Sequence, residues 1–485
     1  MSRVKSILIK IATAAAAGWL LRYAVDLHPV WWLVWLAPVP LLLIALRFKR
    51  QEARWIVLLA CTIGASVNFH YYRLVMPLAA VFVAIAAQTV LGTFLVIATR
   101  RVAARYQSWW TVFVYPVLWV AADSLMAALL PDGNWGSLAY SQGDRLAILQ
   151  VASLFGSAGV LFLVALVPSA LALGIAFPGS LRRGWMAYTI AAVLVAAAVL
   201  YGDWRLRKPV AGVETTFGLV SIDDPIGVRA SAQYAESILG EYDRRVTELA
   251  GQGAQIVVLP EKIAVFTPAK ALDEQHRLSE LARQNRVWLE VGVGIDDGKR
   301  PTNWAWLFTP DGTLAASYEK HHMAPPERRE HYAAGADYTV YRIGGQSYGL
   351  AICKDMHFAD LGREYGTRHA DAMLVPAWDF GYLDGWLEAR TTVFRGVENG
   401  YTIVRASREG LLTVSDPYGR ILKETTSSEM PGRSLLVKVA VAPQVPTLYT
   451  RIGNVLGWLC VAAGAVFLVI GRGRSSLKTR LGTRV

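Results

Sequence analysis

Apolar runs of about bilayer length dominate the first 200 residues, separated only by short polar connectors. They fall at about 8–26, 29–46, 54–70, 74–98, 108–130, 147–177 and 184–201, each near the roughly 20 apolar residues a hydrocarbon core requires. The sixth run is long, so it is expected to tilt or to include an interfacial turn. An eighth run, about 452–471, stands alone near the C-terminus. The pattern predicts eight membrane-spanning helices. The first is not read as a cleavable leader, because no small-residue cleavage site follows it and further spans do.

Residues 202–450 change rhythm. Short β-rich runs alternate with helical stretches: 216–221, 255–260, 287–294, 347–353, 372–376, 401–406 and 433–439. Over 230–250, Tyr234, Ile238, Tyr242, Val246 and Leu249 recur at helical spacing and predict one buried face. Further helices are expected at 270–285 and 383–399. Strands that are apolar throughout, separated by amphipathic helices, imply a sheet covered by helices. The chain therefore reads as a membrane domain over 1–201, a water-exposed α/β domain over 202–450, and a last span with a basic tail over 451–485.

Composition agrees: 54% of the 485 residues are hydrophobic and only 18% are charged, with positive mean hydropathy. A net charge of +12 invites a nucleic-acid reading, but the charge lies in short loops and at the tail, beside apolar runs. With the N-terminus in the cytoplasm, the inner loops and tail hold 17 Lys or Arg, among them Arg47, Arg54, Arg101, Arg182 and Arg183, and Arg472, Arg474, Lys478, Arg480 and Arg484 of the tail. The opposite short loops and span ends hold three: Arg22, Arg73 and Arg145. That bias puts both termini inside and residues 202–450 outside the cytoplasm. The three cysteines, Cys61, Cys353 and Cys460, have no neighbours at disulfide or metal-ligand spacing, and the eight histidines form no H-x-x-x-H pair. Neither a metal nor a cofactor is expected.

Candidate chemistry sits where apolar runs end. V-L-P-E ends at Glu261, S-Y-E-K at Lys320 and L-A-I-C at Cys353. Ligands of open α/β sheets bind at such strand ends. A thiol acts as a nucleophile once deprotonated, which needs a base or a positive charge nearby. Glu261 can take the proton, and Lys320 can favour the thiolate and then hold an oxyanion. Singly, each has a blander reading: a strand-end Cys packs as a small hydrophobe, a Glu starts a helix, a Lys is solvated. The combination is stronger, since an unpaired thiol outside the cytoplasm needs a reason to persist.

With these flanks, the order Glu, Lys, Cys resembles the nitrilase (carbon–nitrogen hydrolase) superfamily. K-H-H-M-A-P-P-E supplies the Pro and second Glu that follow the family's Lys, here Pro325 and Glu327, and C-K-D supplies an acidic residue, Asp355. A-R-T-T-V-F-R-G-V-E-N-G, V-R-A-S-R-E-G and S-D-P-Y-G-R-I carry the likeness to about residue 422. In the membrane half, N-W-G-S-L-A-Y-S-Q and G-S-A-G-V-L-F-L-V-A-L-V are similar to segments of one membrane branch, the apolipoprotein N-acyltransferase family. There are departures: Leu259 before Pro260 and Glu261, Lys354 and Asp355 after Cys353, S-I-D-D-P after the first strand, and a Lys320–Glu327 interval one residue short. Lys354 is expected to be solvated, because adjacent strand residues point to opposite faces.

The resemblance implies an αββα nitrilase-like sandwich joined to an α-helical multi-pass membrane domain, in a bacterial inner membrane. It implies transfer of a fatty acyl chain from a glycerophospholipid through a Cys353 thioester to the N-terminal amine of a diacylglyceryl-cysteine lipoprotein. Glu261 would be the base, Lys320 the oxyanion donor, and Glu327 would orient Lys320 or shield the site. Two rivals are a membrane-anchored amidase acting on a small amide and a catalytically silent scaffold. The intact Glu–Lys–Cys set argues against the scaffold, and N-W-G-S-L-A-Y-S-Q against a mere anchor. W-D-F-G-Y-L-D-G-W (378–386) clusters aromatics in a loop. Trp378, Phe380, Tyr382 and Trp386 are candidates for a lipid-guiding wall, because Trp and Tyr favour the lipid–water boundary, and Phe266 could join them.

Overall fold

A computed structural model of the chain describes residues 3–177 and 181–472. The side chains of Arg3, Arg182 and Arg183, and the tail residues Arg474, Lys478, Arg480 and Arg484, lie outside the described residues. The chain divides into two compact units, Met1–Asp203 with Asn454–Val485, and Trp204–Gly453.

Among the described residues of the first unit, six helices are long and apolar enough to cross a membrane: Val4–Ala24, Arg50–Val75, Leu78–Tyr106, Trp109–Leu129, Ala152–Ala176 and Trp185–Leu206. The runs expected at 29–46 and 452–471 form shorter apolar helices, Leu33–Arg47 and Val455–Ile470. The long sixth run is broken. Leu146–Leu149 is a separate turn, and Gly156 at φ 63° kinks the helix Ala152–Ala176. Small residues set the helix spacing, as they do wherever lipid offers no hydrophobic drive to association. Ala14 and Ala17 are fully buried, and a Cβ on Gly18 would meet Ile63 Cβ at 2.7 Å. The chain is a multi-pass membrane protein.

The second unit holds two sheets. One has the order β13 (Arg433–Val441), β1 (Val213–Ser221), β2 (Ile256–Val258), β4 (Trp288–Ile295), β5 (Thr302–Phe308) and β6 (Leu314–Glu319), with β3 (Val265–Phe266) beside β4. The other has β12 (Ile421–Thr426), β11 (Leu411–Ser415), β10 (Thr402–Arg408), β9 (Ala372–Trp378), β8 (Gln346–Leu350) and β7 (Thr339–Ile343). β1, β2 and β4 run parallel, as do β8, β9 and β10.

Side-chain alternation makes four layers. Phe217, Leu219, Ile256 and Val258 of the first sheet meet Leu350, Leu374, Val404 and Ala406 of the second in a central core. On the outer face of the first sheet, Leu289, Val291 and Val293 meet Ile238, Tyr242, Val246 and Leu249 of helix Ala232–Gly251, and Leu278 and Leu281 of helix Pro268–Asn285. Helix Ala359–Thr367 packs Leu361 and Tyr365 against Met373 and Val375 of β9. Helix Gly385–Asn399 is buried at every residue but Trp386. This is the αββα sandwich that the resemblance implies.

Candidate active site

Three strands of this sandwich end close together. β2 runs out into Leu259–Pro260–Glu261, β6 into Lys320, and β8 into Cys353. The turn at Glu261 is held from both sheets: its N–H donates to Ala377 O of β9 at 3.2 Å, while Ile263 N donates to Gly292 O of β4 at 2.9 Å. Gly292 is required there, since a Cβ would sit 2.6 Å from Glu261 Cα. Lys320 N donates to Asn303 O at 2.9 Å, which fixes the end of β6 against β5.

The side chains form a buried cluster of two carboxylates and two ammonium groups. Lys320, 1% exposed, donates from Nζ to Glu261 Oε1 and to Glu327 Oε2, both at 2.7 Å. Asn303 Nδ2 spans the two acids, donating to Glu261 Oε1 at 2.6 Å and Glu327 Oε1 at 2.7 Å. Lys262 closes the group, its Nζ donating to Glu327 Oε1 at 2.9 Å. Glu327 Oε2 also accepts Ala324 N at 2.8 Å, capping the short helix Pro325–Arg329.

Electrostatics follow from this geometry. Burial works to lower the Lys320 ammonium pKa, but the charges of Glu261 and Glu327 outweigh it and hold the pKa well above the usual value. Burial works to raise Glu327, but Lys320 and Lys262 overcome it and keep the carboxylate ionised. An ammonium has three donors, and two of Lys320's are committed to carboxylates. The third can serve a developing oxyanion.

Cys353 opens a tight 3-10 turn, Cys353–His357, at φ 45°, a left-handed conformation that a non-glycine residue adopts only when its surroundings enforce it. Asp355, fully buried, is the enforcing group. It accepts Ile352 N at 3.1 Å, His322 N at 2.8 Å, His321 N at 3.2 Å and Tyr318 Oη at 2.8 Å. One carboxylate thus ties the cysteine turn to the segment just after Lys320. The thiol donates to Trp378 O at 3.5 Å. Burial first, then the charge of Glu261, push the thiol pKa well above its usual value, with Lys320 pulling it down. At rest the group is a neutral thiol.

Lys354 is a correction. It is 4% exposed, not solvated, because Cys353–His357 is a 3-10 turn rather than strand and the two-faced alternation does not apply. Around it, His322 stacks on Phe358 at 3.6 Å between ring centroids. Burial, with the charges of His321, Lys354, His357 and Lys320, pushes His322 down to about 4, so this ring is neutral at physiological pH.

The aromatic segment divides. Trp378 ends β9, half-buried, with Arg408 Cζ 4.2 Å and Lys262 Nζ 5.3 Å from its ring centroid. Trp386 lies in the first turn of helix Gly385–Asn399 beside Arg390. Phe380 is half-buried, whereas Tyr382 and its neighbour Leu383 are 50% and 41% exposed. The turn between is pinned: Phe380 N donates to Asp384 Oδ1, Gly381 N to Glu409 Oε2, and Tyr382 Oη to Asp223. Phe266 does not join it, being buried in the core facing the helices, where its strand side places it.

Lys262 and Asn303 are the members that sequence reasoning missed. Lys262 had a signal, a second charge directly after Glu261 at a strand end. Asn303 had only its polarity within the N-W-A-W-L-F run, and its position between two acids is set by the β4–β5–β6 register.

Two family models match the chain: the apolipoprotein N-acyltransferase N-terminal domain over residues 17–170, and carbon–nitrogen hydrolase over residues 228–438. An apolipoprotein N-acyltransferase of Geobacter metallireducens is 26% identical over 392 residues, covering 75% of this chain and 74% of that one. Another, of Gloeobacter violaceus, is 27% identical over 499 residues, covering 93% and 92%. Among solved structures, an amidase from Nesterenkonia sp. is 22% identical, with a TM-score of 0.42, covering 50% of this chain and 94% of that one.

Proposed function

The chain belongs to the apolipoprotein N-acyltransferase family of the nitrilase superfamily, and from that premise we propose that it moves a fatty acyl chain from a glycerophospholipid to the N-terminal amine of a diacylglyceryl-cysteine lipoprotein. The observation that carries the chemistry is the single ammonium of Lys320, held at 2.7 Å by both Glu261 and Glu327 with a donor to spare.

In the first half-reaction Cys353 Sγ attacks the ester carbonyl as its proton passes to Glu261. A thiol held neutral by burial gains nucleophilicity only as that proton leaves, so transfer and attack are coupled. Lys320 donates its remaining N–H to the tetrahedral oxyanion. The intermediate collapses by breaking the ester C–O bond, and Glu261 returns the proton to the glycerol oxygen. A lysophospholipid leaves and the thioester remains. In the second half-reaction the lipoprotein's amine attacks the thioester and gives a proton to Glu261. The C–S bond breaks, the thiolate takes that proton, and the amide product departs. Glu327, pinned by Lys262, Asn303 and its own helix cap, is the positioning residue for Lys320.

The apolar helices and the bacterial relatives support a bacterial cytoplasmic-membrane location, and the Lys and Arg distribution supports the sandwich domain on the outer side. The test is intact-mass analysis of detergent-purified protein incubated with phospholipid. A fatty-acyl increment mapped to Cys353 is expected, removed by Cys353→Ala and slowed about 10²–10⁴-fold by Glu261→Gln. Acyl-enzyme at wild-type yield from Cys353→Ala protein would overturn the nucleophile. Release of free fatty acid without transfer to a lipopeptide amine would favour a hydrolase.

A further inference from the structure

We infer that the membrane unit carries a binding site for an anionic phospholipid in a groove between helices Arg50–Ala65 and Leu78–Tyr106, separate from the acyl-transfer site. The groove has a volume of about 420 Å³. Trp55, Leu58, Phe94 and Ile97 line its length, and Arg54 and Arg101 stand at its mouth. The helices are antiparallel here, since Arg54 at the start of one lies by Arg101 near the end of the other, while Cys61 lies by Gly92 further in. From Arg101 back to Val90, the innermost lining residue, the helix rises about 16 Å, the depth of one leaflet's hydrocarbon. A lipid with its phosphate at the arginines would run its acyl chain along that wall.

Charge complementarity selects the occupant. Among the described residues, three other arginines at this end donate to backbone carbonyls: Arg47 to Ile175 O at 2.9 Å, Arg100 to Phe48 O at 2.8 Å, and Arg105 to Ile470 O at 2.8 Å. Arg54 and Arg101 make no hydrogen bond or ion pair among the described residues, and Arg101 lies within electrostatic reach of Arg50 and Arg54. Glu52, the one carboxylate in the 47–54 connector, is occupied by Lys10 at 2.7 Å. An uncompensated cationic mouth over an apolar trough matches a lipid with net negative charge, since each cation near a membrane surface favours anionic lipid by about fivefold. The positive-inside pattern assigns this mouth to the cytoplasmic leaflet, where such lipid concentrates.

Native mass spectrometry of the full-length protein tests this, with phosphatidylglycerol and phosphatidylcholine of identical dioleoyl chains. At low salt a single retained phosphatidylglycerol is expected, favoured by roughly 25-fold over phosphatidylcholine. The double substitution Arg54→Gln with Arg101→Gln removes the preference. Arg47→Gln with Arg105→Gln removes the same charge elsewhere on this end and keeps it. In wild-type protein, where no variant can misfold, the preference falls toward unity as salt rises to about 1 M, because the Debye length shrinks to about 3 Å. Equal retention of both lipids, or a preference that survives loss of Arg54 and Arg101, overturns the site.

Discussion

Replacing Lys262 by Met removes one of the two positive charges that balance Glu261 and Glu327, and does so without touching a group proposed to meet substrate. Lys262 Nζ lies 2.9 Å from Glu327 Oε1, and Lys320 Nζ lies 2.7 Å from Glu327 Oε2. Through Glu327 Oε1 and Asn303 Nδ2 the Lys262 ammonium lies within roughly 8 Å of Glu261 Oε1, the proposed base, and at an effective dielectric near 20 two unit charges at ~8 Å interact by about 2 kcal/mol. That is about 1.5 pH units, or ~30-fold in the population of the reactive ionisation at a fixed pH below the new midpoint. The sign is fixed: losing a nearby positive charge makes it harder to ionise the carboxylate pair, including the Glu261 that must be ionised to take the thiol's proton. The reactive form therefore appears at higher pH. The assay is single-turnover acylation of Cys353 by a short-chain, water-soluble ester, followed by intact mass across pH 5–9. Lys262→Met is expected to be ~30-fold slower near neutral pH, with the rising limb displaced upward by about 1–1.5 units. Lys262→Arg keeps the charge and should stay within about threefold, with the limb in place. Removing one partner of a buried pair also costs roughly 3–5 kcal/mol of stability, so a lower thermal midpoint is expected. The limb position does not depend on how much protein is folded. A Lys262→Met enzyme that is slower with an unshifted limb would reduce Lys262 to a packing role, and the electrostatic reasoning would fail.

Glu290, in β4, is fully buried with neither carboxylate oxygen hydrogen-bonded among the described residues, and burial holds its pKa well above the ordinary carboxylate range. The folded state retains this proton longer than the unfolded chain, so Glu290 erodes stability as pH rises above the unfolded value near 4.5. Glu290→Met should raise the thermal midpoint in detergent, by an amount equivalent to about 1–3 kcal/mol and larger at pH 8 than at pH 5; an equal gain at both would sink the account. Tyr382 and Leu383 are the exposed apolar pair of the 378–386 segment, so Tyr382→Ser with Leu383→Ser should slow acylation by long-chain phospholipid on the order of tenfold and leave the short ester alone. Equal losses on both substrates would make the segment structural. A reporter active only in the cytoplasm, fused after Gly202, should be silent; activity there would reverse the proposed orientation.

The sequence by itself determined the elements whose signal is local. Membrane helices need only length and apolarity, so each of the eight apolar runs coincides with an apolar helix, two of them shorter than a full span. The buried strands β1, β2, β4, β8, β9, β10 and β13, and the helix carrying Ile238, Tyr242, Val246 and Leu249, were legible because a covered sheet leaves continuous apolar runs and its helices leave one apolar face. Glu261, Lys320 and Cys353 were legible as strand ends, and Glu327, which lies on the short helix Pro325–Arg329, only through the family resemblance of its segment. Edge strands such as β12, with its exposed Leu422 and polar neighbours, carried no such pattern.

Tertiary structure decided what depends on residues far apart in the chain. Lys320 finds Glu261 across 59 positions, and Asn303 reaches the same carboxylate across 42, only because β2, β4, β5 and β6 lie in register within one sheet. Lys354 was expected on the surface from a strand's alternation, yet Asp355 draws the chain into a 3-10 turn that buries it. The aromatic segment read as one lipid-facing group, but β9 ends under Trp378 and leaves only Tyr382 of the four exposed. Periodicity records which way a side chain faces within its own element. Which charges share a buried space is set by how the elements pack, and desolvation there decides whether an ammonium or a thiol carries its charge.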